Sequence, residues 1–145
     1  MDQYPMIGRH LTVFEEPDII FMRLQGPVSA EEGSEINRLH REFGDTHDHV
    51  FFLIDLKDLE SIHPEVRKES GEILKDLPLR GAAVYQAGFK AKVLAKLIFT
   101  AMNLFRPEEE KAPIEFFDSE SEARSWIENL RRNLGYSVEA DENAA

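Results

Sequence analysis

The feature that most constrains the fold is a short, continuous apolar run, VFFLI at residues 50–54, which ends at Asp55. Strands that are buried on both faces show such continuous runs, whereas half-buried strands alternate apolar and polar residues. A strand covered on both faces needs other layers packed on either side of its sheet. We therefore expect residues 50–54 to form the central strand of an α/β protein.

Four further segments have strand-like patterns. Residues 11–14 and 19–24 are β-prone runs separated by the turn-like sequence Glu-Glu-Pro-Asp, so they predict an antiparallel hairpin. Residues 81–85 (GAAVY) and 114–117 (IEFF) are short apolar runs of strand length. The sequence thus predicts five strands.

Four helices are predicted between and after these strands. In chain order, the first and last helices open with capping boxes at Ser29 and Ser119, and Pro64 suits the first turn of the second helix. The third helix covers residues 89–105, and Trp126 is expected on the buried side of the last helix. The order ββαβαβαβα predicts a mixed five-stranded sheet with four helices packed on it.

Charge is distributed unevenly along the chain. Between Asp76 and Glu108 there is no acidic residue but five basic ones, so this window carries +5 in a chain of formal charge −11, and the remainder sums to −16. Much of the window is the helix predicted at residues 89–105, FKAKVLAKLIFTAMNLF. A basic amphipathic helix indicates contact with something apolar and anionic.

Placing each residue of this helix 100° after the last gives one broad apolar face: Val93, Leu94, Leu97, Ile98, Ala101, Leu104 and Phe105. Lys92 and Lys96 fall opposite, and Phe99 is expected near them rather than against the sheet. The apolar arc is wider than the roughly 100° stripe that a helix on a sheet requires. A ligand, a second subunit or lipid should cover the surplus; a core helix with its lysines in water is the alternative.

The predicted ligand- or membrane-binding residues of this helix are Phe89, Lys92, Val93, Lys96, Leu97, Ile98, Phe99, Met102 and Phe105. Of these, Val93, Leu97, Ile98 and Phe105 are expected to line an apolar pocket or a partner interface.

The sequence gives little support for catalysis or cofactor binding. It contains no cysteine, which excludes disulfides and thiolate chemistry. His47 and His49 have the spacing of metal ligands, but no third or fourth ligand is near them in sequence, so no metal is expected. The acids at 55, 58, 60 and 65 are interpreted as solvated loop residues; a small hydrolase or transferase that uses them is a weaker alternative. Glycine-rich phosphate-binding motifs are absent, and the acidic balance argues against nucleic acid.

We expect no secretory signal at the N-terminus, residues 1–10. No basic segment followed by an apolar run opens the chain, and the longest apolar run is shorter than the ~20 residues that span a bilayer. We expect a cytoplasmic protein with one domain over residues 1–135 and a flexible acidic tail over residues 136–145.

The element order and several segments together resemble the SpoIIAA-like group of the STAS superfamily (sulfate transporter and anti-sigma-factor antagonist domains), related in shape to CRAL-TRIO domains. The segments are VFFLID at 50–55, AKVLAKLIFTAMNLF at 91–105 and FFDSESEARSWIENL at 116–130. The resemblance covers roughly residues 8–134.

This resemblance implies a non-enzymatic domain that binds an apolar or lipid-like ligand beneath the third helix and contacts anionic membranes when that helix moves. The phosphorylated serine of anti-sigma-factor antagonists corresponds to Glu65 here, so the acceptor is absent. A protein-interaction module or homodimer that uses the same apolar helix is the alternative function.

Overall fold

The computed structural model describes residues 6–136 and contains a mixed sheet whose six strands lie in chain order. The strands are β1 (Met6–Ile7), β2 (His10–Glu15), β3 (Ile19–Val28), β4 (Val50–Ile62), β5 (Leu79–Tyr85) and β6 (Ile114–Phe117). Strands β1 to β3 are antiparallel, and β3 to β6 are parallel. The predicted α/β class and mixed sheet are confirmed. Strand β1 is additional to the five predicted, because two residues are too few to show a period.

The described residues form four helices, as predicted: α1 (Ala30–Asp45), α2 (Pro64–Leu74), α3 (Phe89–Leu104) and α4 (Glu120–Asn133). Helices α1, α2 and α3 connect successive parallel strands that advance in one direction across the sheet. Crossovers of one hand then place all three helices on the same face. Helix α4 follows the last strand and packs against β4, β5 and β6 on the opposite face.

Strand β4 is buried on both faces, as its continuous apolar run predicts. Phe52 and Ile54 belong to the core beneath α1, α2 and α3, whereas Phe51 and Leu53 belong to the core beneath α4. All four side chains are almost fully buried. Each contributes about 1.5–3 kcal/mol relative to an exposed side chain.

Strands β3 and β4 run further than the sequence predicts. They continue as a parallel pair in which Gln25 is opposite Asp58 and Val28 is opposite Ile62, with two irregularities in register. Asp58 and Glu60 are therefore strand residues, not loop residues. The backbone pairing with β3 stabilises this polar half of β4, which has no apolar pattern to mark it in the sequence.

Helix α4 packs through Ala123 and Ile127, which are fully buried, and through Trp126, which is half-buried against Phe117 at a ring-centroid distance of 5.9 Å. Trp126 thus lies on the inner side of the helix as predicted, though with partial exposure. Tyr136 stacks on His49 at 3.6 Å, so the packed part of the chain reaches one residue beyond the predicted boundary. The rest of the predicted tail, residues 137–145, lies outside the described residues.

A buried ion pair joins α4 to the turn between β2 and β3. Asp18 is almost completely buried, and Arg131 donates to it twice, from Nε to Oδ2 at 2.9 Å and from Nη2 to Oδ1 at 2.6 Å. His49 Nε2 lies 2.9 Å from the same Oδ2. Breaking a buried pair by removing one member is strongly destabilising.

We predict that Asp18→Ala lowers the free energy of unfolding by about 3–5 kcal/mol in chemical denaturation, because it removes two charge-assisted hydrogen bonds at a buried site. The matched control is Glu15→Ala, which removes the carboxylate of the half-exposed Arg124–Glu15 pair and should cost about 1 kcal/mol or less. Equal losses in the two variants would show that the buried pair has no special structural role.

Candidate ligand and membrane site at helix α3

Helix α3 faces the sheet and α2 through a narrow column of buried residues, Ala91, Ala95, Phe99 and Met102. The Phe99 ring packs edge-on against Phe52 at a centroid distance of 6.2 Å. The expectation that Phe99 projects near the lysines is therefore wrong: Phe99 is a core residue.

Small residues explain this rotation of α3. The column places alanines rather than leucines against the protein, which lets the helix backbone approach closely. At the contact with α2, a Cβ added to Gly71 would lie only 3.3 Å from the Cβ of Ala101. The structure therefore buries the small side chains of α3 rather than its larger leucines and valine. A helical hydrophobicity pattern does not predict this orientation.

The side of α3 opposite this column carries an exposed apolar stripe, which we define as Phe89, Val93, Leu97 and Leu104. These side chains are 84%, 40%, 55% and 73% exposed, and Phe105 at the helix end is 69% exposed. Val93, Leu97 and Phe105 were expected to line a pocket or a partner interface, and they do not line the cavity beneath the helix. The apolar surplus predicted from the sequence is thus present, but on the outer side of α3.

Lysines flank the exposed stripe. Lys90, Lys92 and Lys96 are all exposed, and at 3.6 residues per turn Lys90 lies to one side of the stripe and the other two to its other side. Lys92 and Lys96 approach the Phe116 ring at 5.8 and 5.7 Å. At exposed sites such contacts contribute only about 0.5–1 kcal/mol.

One basic residue of the acid-free window has a structural role. Arg106 is buried and donates to the carbonyl oxygens of Leu79 at 2.7 Å and Leu74 at 3.0 Å, and also to that of Leu77. It thus connects the C-terminal end of α2 (Leu74), the loop after it (Leu77) and the first residue of β5 (Leu79). Burial lowers the pKa of Arg106. The charge available to a ligand or surface is therefore concentrated in the three lysines of α3.

The two ends of α3 are held unequally. Near the C-terminal end, Asn103 Nδ2 donates to Ala112 O and Ala112 N donates to Asn103 Oδ1, both at 2.9 Å, and Phe99 and Met102 are buried. The N-terminal half buries only Ala91 and Ala95, and its cap residue, Gly88, makes no side-chain cap hydrogen bond. Because buried area sets most of the packing energy, the N-terminal half is the weaker attachment.

A cavity of about 80 Å³ lies between the three helices and the sheet. Ile98 and Phe99 of α3, Phe52 and Ile54 of β4, and His40 of α1 are among its walls. Roughly 10–15 Å³ of such volume admits one water, so the cavity has room for a short hydrocarbon segment as it stands. A whole acyl chain requires α3 to move outward.

Three uncharged polar residues interrupt the apolar lining of this cavity: Asn37, His40 and Ser70. Ser70 Oγ donates to Asn37 Oδ1 at 3.2 Å, and His40 Nε2 lies 2.9 Å from Thr12 Oγ1. Burial lowers the pKa of His40 to about 3, so its ring is neutral at pH 7. Sequence reasoning did not single out these residues. The sequence did contain a sign of a polar group in the core. His40 follows Ile36 by four residues, so both lie on the inward face of α1.

The two histidines with metal-like spacing have separate environments. His47 Nδ1 lies 2.8 Å from the carbonyl oxygen of Phe43, and His49 contacts Asp18. Within residues 6–136, no three histidine, aspartate or glutamate side chains are grouped closely enough to hold a metal ion.

The carboxylates near the end of the predicted central strand are also separated. Asp55 accepts from Arg23 Nε at 3.1 Å and from Lys57 N at 3.0 Å. Glu65 is the second residue of α2, and its backbone N donates to Nδ1 of the cap residue His63 at 3.1 Å. Its exposed side chain lies beside a shallow cleft with Ser34 and Glu69.

Comparison with solved structures identifies the fold. The chain is similar to the anti-sigma factor antagonist SpoIIAA in its unphosphorylated form, with a TM-score of 0.55 and 8% identity over 81% of this chain and 95% of that one. It is also similar to an uncharacterized protein of the DUF3478 family from Shewanella loihica PV-4 with a SpoIIAA-like fold, with a TM-score of 0.57 and 15% identity over 81% and 91% of the chains. No protein-family model matches the sequence, and no curated protein is significantly similar to it. The predicted SpoIIAA-like (STAS) fold is confirmed.

Among the helices of residues 6–136, none is both long enough and apolar enough to cross a bilayer.

The orientation of α3 gives a direct test by substitution. We predict that Phe99→Ala lowers the free energy of unfolding by about 3–5 kcal/mol, because it leaves a cavity against Phe52. Leu97→Ala on the exposed stripe of the same helix should change it by no more than about 0.5 kcal/mol. Chemical denaturation measures both, and the reverse ranking would mean that α3 is rotated as the sequence pattern suggested.

Proposed function

We propose that this protein is a non-enzymatic STAS-like domain that binds lipid-like molecules beneath α3 and docks on anionic membrane surfaces through the exposed stripe of that helix. The single observation that carries the proposal is the stripe itself. Four large apolar side chains lie side by side on the outside of α3 with lysines on both flanks.

The chemistry of the stripe fits an interfacial helix. Such helices lie in the membrane plane with the apolar face buried near the acyl boundary and basic side chains at the headgroups. Leu97 and Val93 would enter the apolar layer, while Lys90, Lys92 and Lys96 reach outward on their flexible stems. Each lysine near an anionic surface contributes about 1 kcal/mol.

Charge sets the orientation of docking. The whole chain carries −11, which repels an anionic surface at long range, but the segment between Asp76 and Glu108 contains no acid. Repulsion between exposed charges is screened beyond about 8–10 Å at physiological salt. Attraction at the lysines therefore dominates only when the N-terminal half of α3 faces the membrane, because Glu108, Glu109 and Glu110 follow its C-terminal end.

The unequal attachment of α3 supports ligand entry at the same place. The alanine-packed N-terminal half separates from the sheet at lower cost than the half held by Phe99, Met102 and Asn103. Opening there widens the cavity beside Ala95, which a whole acyl chain requires. Docking through the exposed stripe and opening of the cavity thus involve the same half of α3.

The second candidate is a protein-interaction module in which another copy of the chain covers the stripe. The apolar character of the stripe favours it, since large exposed apolar patches mark protein interfaces as well as membrane sites. The flanking lysines of two copies would repel each other across such an interface, which favours the anionic membrane.

Regulation through the α2 N-terminus would differ from that of a phosphorylated antagonist, because Glu65 carries one fixed negative charge.

Liposome co-sedimentation tests the proposal. We predict binding to vesicles of equal parts phosphatidylcholine and phosphatidylglycerol, weakening as salt rises, and no binding to phosphatidylcholine alone. Leu97→Glu should reduce binding at least about tenfold, because burying a leucine contributes about 1.5–3 kcal/mol. Joint substitution of Lys92 and Lys96 by Glu should reduce it by a similar factor.

Two matched controls isolate the stripe. Leu134→Glu introduces the same change at another leucine, 40% exposed, at the end of α4, and joint Lys57→Glu and Lys68→Glu substitution gives the same net charge as the α3 pair. Both controls should bind like wild type. Wild type that ignores anionic vesicles would overturn membrane docking, and a dimer in sedimentation equilibrium that Leu97→Glu dissociates would establish the second candidate.

A further inference from the structure

His40, in the wall of the cavity beneath α3, has unused hydrogen-bonding capacity. His40 is almost fully buried and lines the cavity, yet among residues 6–136 its only side-chain hydrogen bond is between Nε2 and Thr12 Oγ1. No hydrogen bond to its Nδ1 is present in the described part of the chain. Buried polar groups are normally paired, so Nδ1 is the natural place for a ligand to bind.

The group that can pair with Nδ1 depends on the tautomer of the ring. If Nε2 carries the proton and donates to Thr12, Nδ1 is an acceptor and needs a donor from the ligand. If the Thr12 hydroxyl donates to Nε2, Nδ1 carries the proton and needs an acceptor. A hydroxyl group is both donor and acceptor, whereas a carbonyl or carboxylate oxygen only accepts.

We propose that the cavity selects an uncharged amphiphile, whose hydroxyl group hydrogen-bonds Nδ1 of His40 while its hydrocarbon part lies between α3 and β4. This inference rests on the proposed function and specifies the ligand class for the same site. Asn37 and Ser70 are the other polar residues of the cavity lining.

The lining excludes charged head groups. Among the described residues that line the cavity there is no Lys, Arg, Asp or Glu, and His40 is neutral at pH 7 because burial lowers its pKa to about 3. A carboxylate buried there would lose its hydration without gaining a counter-ion, which is far more costly than burying a hydroxyl. Lys92 and Lys96 lie outside the cavity and cannot pair with a head group next to His40.

Three ligands with six-carbon chains test the proposal: 1-hexanol, hexane and hexanoate, each titrated at pH 7 into the full-length protein and followed by NMR. We expect 1-hexanol, and not hexane, to shift the ¹⁵N resonance of His40 Nδ1. Hexanoate should bind at least about tenfold more weakly than 1-hexanol. In His40→Phe, the affinity for 1-hexanol relative to hexane should fall about three- to tenfold, the effect of one neutral hydrogen bond.

The outcomes separate this inference from the proposed function. If both neutral ligands bind but neither shifts Nδ1 and the relative affinity is unchanged in His40→Phe, the hydroxyl assignment is wrong and an apolar ligand site stands. Tightest binding of hexanoate would also overturn the assignment. If none of the three binds, ligand binding beneath α3 fails together with it. The Nδ1 shift is read on the wild type, so the test holds even if His40→Phe does not fold.

Discussion

Burial of β4 on both faces is the constraint on which the rest of the structure depends. Phe52 and Ile54 require a cover on one side, and Phe51 and Leu53 require one on the other. Three crossover helices in a strand order that never reverses can cover only one face, so α4 must return to the opposite face. The Asp18–Arg131 pair then fixes α4 to the hairpin at the far edge of the sheet.

Helix α3 is apolar on two sides, with small side chains facing the protein and large ones facing outward. It packs inward with small side chains, which places it close to α2 but buries little area in its N-terminal half. It also keeps large apolar side chains outward, where they are not covered within the described chain. A helix that was only structural would place Leu97 inward and lysines outward. The departure from this rule is the reason to assign function to the helix, since local inconsistencies with folding rules concentrate at functional sites.

The sequence predicted the architecture well because periodicity and capping are local signals. The run at 50–54 and the capping box at Ser29 predicted elements that the structure contains, and Ser29 indeed exchanges hydrogen bonds with Glu32. The orientation of α3 could not be predicted, since a helix that is apolar on two sides gives no single inward direction. The role of His40 was likewise hidden: its environment depends on Thr12, which is distant in sequence and opposite it only in the fold.

The central claim is that the outer face of α3 enters the membrane, and the depth of a label at Leu97 measures this most directly. The chain contains no cysteine, so Leu97→Cys carries a single nitroxide spin label, with Leu134→Cys as the matched control. With vesicles of equal parts phosphatidylcholine and phosphatidylglycerol, the label at position 97 should become accessible to oxygen and protected from a water-soluble nickel complex. The label at position 134 should stay accessible to the nickel complex. If position 97 also stays accessible to it on bound protein, α3 does not insert and the account is wrong.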